Sequence, residues 1–259
     1  MTTATPAPLA LAALNLHCGR DHAGTVYAVS AAISALDADV VVVQENWRPA
    51  GAESIAREAA AACDYRYCVE LDVWGSTSLY DLGVVTDPAM DEPGAWGLAV
   101  LSRLPVARRE HVWLGSAPGD MGPRAAQVVE VTVDDESIAR VVNVHLTHRL
   151  AHGPGQLRRL VRALRPPGQP TVIAGDLNMC RPTVYLGHPY RPSVRGRTWP
   201  ARRPFAQVDH VLVDDRVTVA DGSVIPAVGS DHLPIRVTLH VADRHAAPGR
   251  SSSSSRQRA

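Results

Sequence analysis

Apolar residues along the chain follow two periodicities, one typical of strands and one typical of helices. Short apolar runs, bounded by Gly, Pro and Asp turns, predict a long series of strands. The predicted strands cover residues 8–15, 40–43, 65–69, 82–86, 97–101, 126–133, 138–146, 171–175, 208–213, 216–223 and 235–241. Apolar side chains at helical spacing predict helices over residues 26–36, 54–62 and 157–164, the last stopped by Pro166-Pro167.

This order of elements favours two mostly antiparallel β-sheets packed face to face, with the helices outside. A doubly wound parallel sheet fits less well, because the middle third of the chain lacks crossover helices. Residues 180–206 are rich in Pro and Arg and are predicted to be irregular. We expect one domain over residues 8–242, a flexible segment over 1–7 and a disordered Ser- and Arg-rich tail over 243–259.

Composition narrows the classes of function. All 26 basic residues are Arg, and 26 acidic residues balance them, so no global field draws the chain onto a polyanion. Any polyanion site must therefore be local. The four cysteines show no zinc-finger spacing, which disfavours a zinc hydrolase. The absence of a signal-peptide pattern and of a membrane-spanning apolar run predicts a cytoplasmic protein.

Polar residues follow several of the apolar strands at the point where each strand ends. In Gly175-Asp176-Leu177-Asn178, the Asp and the Asn lie two residues apart after a buried run. Taken alone, such a pair usually makes only a turn. Similar stretches end other strands, however, and together their side chains suit one site. They contain Asn15, Glu45, His145, Asp209, Asp231 and His232.

The residue types in these stretches point to chemistry at phosphorus. Glu45 is a hard oxygen ligand suited to Mg²⁺, which binds one or two carboxylates and keeps several waters. Asp176 could align or deprotonate a water molecule. Asn178 is uncharged and could donate a hydrogen bond to a phosphoryl oxygen without repelling it.

The two histidines extend this interpretation. Asp209 and His232 could pair, so that the carboxylate fixes the imidazole tautomer and raises its basicity. His145 could donate to a non-bridging oxygen. The candidate set would then hold a metal, activate water and stabilise a phosphate.

Longer motifs containing these residues occur in one order along the chain. They are Leu14-Asn15-Leu16-His17, Val42-Val43-Gln44-Glu45, Gly97-Leu98-Ala99-Val100-Leu101-Ser102-Arg103-Leu104-Pro105, Asn143-Val144-His145-Leu146, Gly175-Asp176-Leu177-Asn178, Val208-Asp209-His210 and Ser230-Asp231-His232-Leu233-Pro234. Together, from about residue 9 to 241, the chain resembles the endonuclease/exonuclease/phosphatase superfamily, which has a DNase I-like fold. That resemblance implies a four-layered α/β sandwich, in agreement with the pattern of elements.

The resemblance also implies a metal site. Glu45 would bind Mg²⁺ or Mn²⁺, with Asn15 and Asp231 around the ion. The expected activity is metal-dependent hydrolysis of a phosphoester, and the expected partner is a phosphate-ester substrate, with DNA and RNA as candidates. We expect the protein to be a monomer.

Catalytic roles are implied in the same way. Asp176 would position or activate the attacking water, and Asn178 and His145 would contact the scissile phosphate. His232, oriented by Asp209, would be the general base or a stabiliser of the transition state.

The motifs depart from those of the abasic-site endonucleases. In that subfamily the metal-binding Glu is usually followed by Thr-Lys, whereas here Asn46-Trp47 follow it. The subfamily's Val-Asp-Tyr motif is Val208-Asp209-His210 in this chain. These differences favour the generic bacterial branch, whose substrates are mostly undefined.

Arginines near an aromatic residue are the candidates for substrate binding. Arg195, Arg197 and Arg202 surround Trp199, and such a segment can grip a phosphodiester and stack a base. The alternative is an irregular surface loop with Trp199 packed on the domain. Arg124 precedes a strand and could reach a phosphate, although an exposed, solubilising side chain is an equal alternative.

Three functions follow from these observations. The first is a metal-dependent nuclease or phosphodiesterase that acts on nucleic acid. The second is a phosphatase or phosphodiesterase for a small-molecule or lipid phosphate. A non-catalytic binding module is disfavoured, because every carboxylate, His and Asn required by the chemistry is present.

Overall fold

A computed structural model of the chain describes residues 8–134, 137–165 and 168–242. The predicted flexible start, the Ser- and Arg-rich tail and the Pro166-Pro167 stop lie outside these residues. The strands are β1 Pro8–Asn15, β2 Val40–Pro49, β3 Tyr67–Ser78, β4 Pro93–Ser102, β5 Val106–Gly115, β6 Arg124–Thr132, β7 Ile138–His145, β8 Thr171–Asp176, β9 Arg191–Pro192, β10 Asp209–Val213, β11 Val217–Val224 and β12 Ile235–Val241.

Four α-helices are described: α1 Val29–Ala35, α2 Ile55–Ala62, α3 Gly153–Ala163 and α4 Arg181–Val184. Short 3₁₀ helices cover His17–Gly19, Pro88–Met90 and Tyr185–Gly187. The side chain of Ser54 caps α2 by accepting a hydrogen bond from the Arg57 backbone N–H. Within the described residues, no helix has the length and apolar character needed to cross a membrane.

The strands form two six-stranded sheets. Their orders are β11-β12-β1-β2-β4-β3 and β5-β6-β7-β8-β10-β9. Each sheet contains one parallel pair, β1 with β2 and β7 with β8, and its other neighbours are antiparallel. The predicted class of two mostly antiparallel sheets is therefore confirmed.

Strand alternation explains how the layers pack. In β1, Leu9 and Leu11 belong to the core between the two sheets, whereas Leu14 belongs to the core beneath α1 and α2. On the outer face of the second sheet, Leu157 and Leu160 of α3 lie in a third core. Helices thus cover the outer faces of both sheets, as the four-layered prediction requires.

The same alternation makes one end of the inter-sheet space polar. Asn15, Gln44, Asn143, Asp176 and Asp209 each stand two residues from an inward-facing apolar residue of their strand. All five are at most 2% exposed. Because their strands lie next to or opposite one another, these residues converge at one end of the sandwich.

Buried amides connect the two sheets beneath this polar end. Asn143 of β7 donates from Nδ2 to the Val43 and Ala99 carbonyls of the opposite sheet, each at 2.9 Å. Its Oδ1 accepts from Gln44 Nε2 at 2.7 Å, and Gln127 Nε2 donates to the Val69 carbonyl at 2.8 Å. The sheets are therefore held in register by directional hydrogen bonds as well as by apolar contact.

Gly175 is required by the same packing. Its φ is +140°, and a Cβ there would collide with the Val144 carbonyl and crowd the amide of Gln44. The glycine therefore allows β8 to approach the amide network immediately before Asp176.

Two predictions of local structure are wrong, and the sequence pattern misses one strand. Residues 82–86 are not a strand; Val84 and Val85 are buried against an apolar cluster with Trp47, so their hydrophobicity reflects packing in a turn. β5 was not predicted, because this edge strand is mostly exposed and lacks apolar alternation. α1 begins at Val29 instead of residue 26, and Val26 is 65% exposed.

Removing the cross-sheet amide should destabilise the fold. We expect both Asn143→Ala and Asn143→Leu to lower the free energy of unfolding by roughly 3 kcal/mol or more, because each leaves buried carbonyl and amide groups without partners. The measurement is urea-induced unfolding. The Leu variant is the control for side-chain volume. Wild-type stability in Asn143→Leu would show that packing, not hydrogen bonding, holds the sheets together.

Candidate active site

A cavity of about 600 Å³ opens at the polar end of the sandwich. Most of the catalytic and metal-binding residues predicted from the sequence line it, namely Glu45, His145, Asp176, Asn178, Asp231 and His232. Asn15 and Asp209 do not line the cavity, and both are buried. The structure therefore brings the whole predicted set together from both sheets.

Asp176 is at the centre of this set. Asn15 Nδ2 donates to Asp176 Oδ2 at 3.2 Å and to Glu45 Oε1 at 3.0 Å, so one amide bridges two carboxylates. The Asn178 backbone N–H donates to Asp176 Oδ1 at 2.9 Å. Burial, followed by the negative charge of Asp209, raises the pKa of Asp176 to about 7. This carboxyl can therefore exchange a proton near neutral pH.

Asp209 and His232 form the predicted pair. His232 Nδ1 lies 2.9 Å from Asp209 Oδ2, and both residues are buried. Burial alone would lower the pKa of His232, but the charge and hydrogen bond of Asp209, together with the charges of Asp176 and Asp231, outweigh it and the net pKa is about 10. The imidazole is therefore protonated at neutral pH, with Nε2 3.8 Å from Asp176 Oδ2.

His145 differs from His232 in its contacts and in its protonation state. Asn178 Nδ2 lies 3.1 Å from His145 Nε2 and also donates to the Leu146 carbonyl at 3.0 Å. Asp176 Oδ2 lies 3.4 Å from the same ring nitrogen, so His145 Nε2 has both an amide donor and a carboxylate acceptor close by. Burial, followed by the positive charge of Arg124, lowers the pKa of His145 well below its usual value. His145 is thus neutral, and its Nδ1 has no partner among the described residues.

The backbone is strained at two of the site residues. Glu45 and Asn178 both have φ of +51°, in the left-handed region that non-glycine residues rarely adopt. The register between β2 and β4 shifts between Gln44 and Asn46, so Glu45 occupies a β-bulge. The bulge interrupts the strand alternation at Glu45, whose carboxylate reaches Asn15. Such strain is typical of functional sites.

Asp231 is held by neighbours on two sides. Trp199 Nε1 donates to Asp231 Oδ2 at 3.3 Å, and Ser230 Oγ lies 3.5 Å from Asp231 Oδ1. His17 Nδ1 lies 3.7 Å from the same Oδ1. The carboxylate still faces the cavity, as does that of Glu45.

The acidic residues are suited to a hard divalent cation. Among the described residues, ligand atoms of Asp176, Asp209 and His232 lie within 4.8 Å of one another. Asp209 and His232 already bind each other, however, so a cation there would disrupt their hydrogen bond. The carboxylates of Glu45 and Asp231 are not paired with each other, and their oxygen donors suit Mg²⁺ or Mn²⁺.

Arg124 also lines the cavity, and the alternative of an exposed side chain is wrong. The residue is 5% exposed, and its guanidinium lies 5.0 Å from the ring centre of Trp74 and 5.1 Å from that of Trp96. Asp120 Oδ1 lies 3.9 Å from Arg124 Nη2. Nε and Nη1 have no hydrogen-bond partner among the described residues. Buried and only weakly paired, Arg124 can receive an anion.

The remaining candidates for substrate binding are separated in space. Trp199 lines the cavity at its mouth. Arg195 and Arg197 are exposed and line neither this cavity nor a second one, to which Arg202 belongs. Sequence reasoning missed Trp74, because nothing in its local pattern indicates that it stacks on Trp96 and Arg124.

Comparison with known proteins agrees with this geometry. The profile of the Endonuclease/Exonuclease/phosphatase family matches residues 12–232. The chain belongs to this family. The predicted family and its DNase I-like fold are therefore confirmed, and family members are hydrolases of phosphoesters. A search of curated proteins finds no match.

Solved structures share the family fold. An endonuclease/exonuclease/phosphatase from Beutenbergia cavernae is 23% identical, with a TM-score of 0.70 over 91% of this chain and 72% of the other. A family protein from Bacteroides thetaiotaomicron is 14% identical, with a TM-score of 0.67 and coverage of 96% and 99%. The mannosyl-6-phosphatase Bt3783 of the same species is 14% identical, with a TM-score of 0.61 and coverage of 89% and 99%.

The raised pKa of His232 should appear in the pH dependence of stability. In metal-free protein, the advantage of wild type over His232→Gln should be complete below the unfolded pKa of about 6.5 and disappear as pH rises through about 10. The change should be a few kcal/mol. The measurement is urea unfolding with EDTA between pH 7 and 10.

Asp209→Asn is the companion variant. The Asp209 carboxylate raises the pKa of His232. In an Asp209→Asn background, the stability difference between the protein with His232 and its His232→Gln variant should therefore disappear at a lower pH. A difference that stays constant from pH 7 to 10 would contradict the assignment of a protonated His232.

Proposed function

We propose that the protein is a Mg²⁺- or Mn²⁺-dependent phosphodiesterase that hydrolyses nucleic acid by attack of a water molecule on phosphorus. The observation that supports this most is the meeting of three groups in one cavity. They are a carboxyl with pKa near 7, a protonated imidazole and a buried, weakly paired guanidinium, contributed by Asp176, His232 and Arg124.

Glu45 and Asp231 would hold the metal, with Asn15 fixing the orientation of the Glu45 carboxylate. When bound there, the cation supplies Lewis-acid withdrawal of charge from the phosphoryl oxygens. Asn15 Oδ1 accepts from the His17 backbone N–H at 2.9 Å, so its amide orientation is fixed and its Nδ2 faces the carboxylates.

Asp176 and His232 would divide the work of proton transfer and charge stabilisation. A carboxyl with pKa near 7 is matched to accepting a proton from water at neutral pH. His232 carries its proton at that pH and would stabilise the negative charge that develops on the phosphoryl oxygens. Of the two roles implied for His232 by the resemblance, its pKa favours the stabiliser.

Arg124, Asn178 and His145 would bind the substrate phosphate. Arg124 has two buried nitrogens free to donate, and its position against Trp74 and Trp96 limits its movement. Asn178 contacts His145, so the two side chains would act as one unit. Neutral His145 adds no charge of its own to the phosphate site.

We propose nucleic acid as the substrate because aromatic side chains are exposed at the mouth of the cavity. Trp199 is 36% exposed there and packs edge-to-face on Phe205, which is 66% exposed, so a base can stack on this pair. Hydrolysis of a small phosphate is the second candidate, favoured by the similarity in fold to a mannosyl-6-phosphatase. The cytoplasmic location and the monomeric state stay predictions.

Glu45→Gln should abolish turnover. The substitution removes the charge that would hold the metal while keeping the size of the side chain. The measurements are Mn²⁺ titration by calorimetry and hydrolysis of plasmid DNA and of bis-p-nitrophenyl phosphate. Glu110→Gln, on the exposed face of β5, is the matched control and should keep wild-type values. Unchanged metal affinity and activity in Glu45→Gln would refute the assignment.

Asp209→Asn and His232→Ala should each lower kcat by several orders of magnitude. The double variant should lose little more, because residues that act as one unit are not additive. Steady-state kinetics on the three variants provide the test. Losses that multiply would mean that the two side chains act separately.

A further inference from the structure

A second cavity adjoins the candidate active site. It has a volume of about 570 Å³ and shares Asp231 with the first cavity. The other residues that line it are His22, residues 200–203 and Ser230, which are far apart in sequence. Asp231, a proposed metal ligand, therefore belongs to the walls of both cavities.

The charge of the second cavity is mostly positive. Among the described residues, Arg202 and Arg203 form no ion pair. Arg202 Nη1 donates to His22 Nε2 at 2.6 Å, which orients the guanidinium without neutralising it. Asp231 is the single acid among the lining residues, and Trp199 already donates to it.

The backbone that carries these two exposed arginines is fixed relative to the catalytic centre. They lie on the hairpin-like segment 198–206, where the Thr198 and Trp199 N–H groups both donate to the Ala206 carbonyl. The Ala201 N–H donates to the Asp231 carbonyl at 2.7 Å, and the Leu233 N–H donates to the Thr198 carbonyl at 2.8 Å. The segment is thus bonded to the residues on both sides of His232, which keeps the backbone of Arg202 and Arg203 next to the candidate active site.

We propose that the second cavity binds a phosphate group next to the scissile one, so that the substrate carries two neighbouring phosphates. The inference rests on the proposed function and defines its substrate more closely. Arg202 and Arg203 present planar forks suited to phosphate oxygens. A monophosphate ester would leave this cavity unused, whereas a polynucleotide or a bisphosphorylated polyol would occupy it. Arg195 and Arg197 take no part, because neither lines the cavity.

Binding of product-like ligands tests the inference without turnover. Calorimetry on the full chain compares thymidine 3′,5′-bisphosphate with thymidine 5′-phosphate and thymidine 3′-phosphate. We expect the bisphosphate to bind about 10-fold more tightly than either monophosphate, as one added charge-assisted contact provides. In Arg202→Ala the advantage should fall to about 2-fold, and in Arg202→Glu it should vanish. Arg109→Ala, an exposed arginine on β5, is the matched control and should keep the advantage.

A second pair of ligands identifies the source of the phosphate. Inositol 1,4-bisphosphate and inositol 1-phosphate carry the same charges without a base. A preference confined to the nucleotides supports a polynucleotide substrate, and one confined to the inositols supports a polyol. Equal affinity for mono- and bisphosphates in both pairs, or an advantage that survives Arg202→Glu, would overturn the subsite. Failure to hydrolyse bis-p-nitrophenyl phosphate with either metal would instead count against the proposed function.

Discussion

The arrangement of the whole molecule depends on one buried hydrogen-bonding group, the side-chain amide of Asn143. An apolar interface between sheets is tolerant of sliding, because dispersion contacts have little directionality. Asn143 removes this freedom by binding two carbonyls and one amide of the opposite sheet at defined distances. The catalytic groups come from both sheets, so their separations depend on this register. Gln44 and Gln127 extend the constraint beneath the polar end of the sandwich.

The second constraint is the concentration of acidic groups in a space with little water. Asp176, Asp209 and Glu45 lie close together, and each ionised carboxylate disfavours the next. Two neighbouring groups stabilise these carboxylates. The His232 imidazolium binds Asp209, and the Asn15 amide donates to both Glu45 and Asp176. Burial, followed by the negative charge of Asp209, accounts for the raised pKa of Asp176. The negative charge of these clustered carboxylates would also favour the binding of a cation here.

Much of the fold could be predicted from the sequence, because the apolar patterns of β1, β7 and β8 indicate strands without any knowledge of tertiary contacts. The polar residues at the ends of these strands could be grouped for the same reason. The prediction failed where tertiary contacts decide the outcome. Val84 and Val85 are apolar because they pack under a turn, and β5 is a polar edge strand.

The binding residues were harder to predict than the catalytic ones. Arg124 and Arg195 look alike in the sequence, since each lies beside small or flexible residues. Only the three-dimensional structure shows that Arg124 is buried beside two stacked tryptophans, whereas Arg195 faces solvent. The contribution of His22 could not be predicted either, because its partner Arg202 is 180 residues away.

The pairing of β1 with β12 has a practical consequence for how the protein can be joined to other modules. Pro8 pairs with His240, while Ala13 pairs with Ile235 near the cavity. The described chain therefore enters and leaves side by side, roughly 23 Å from the catalytic end along an eight-residue strand. A fused domain, an affinity handle or a solid support attached there would leave the cavity open to long polymers.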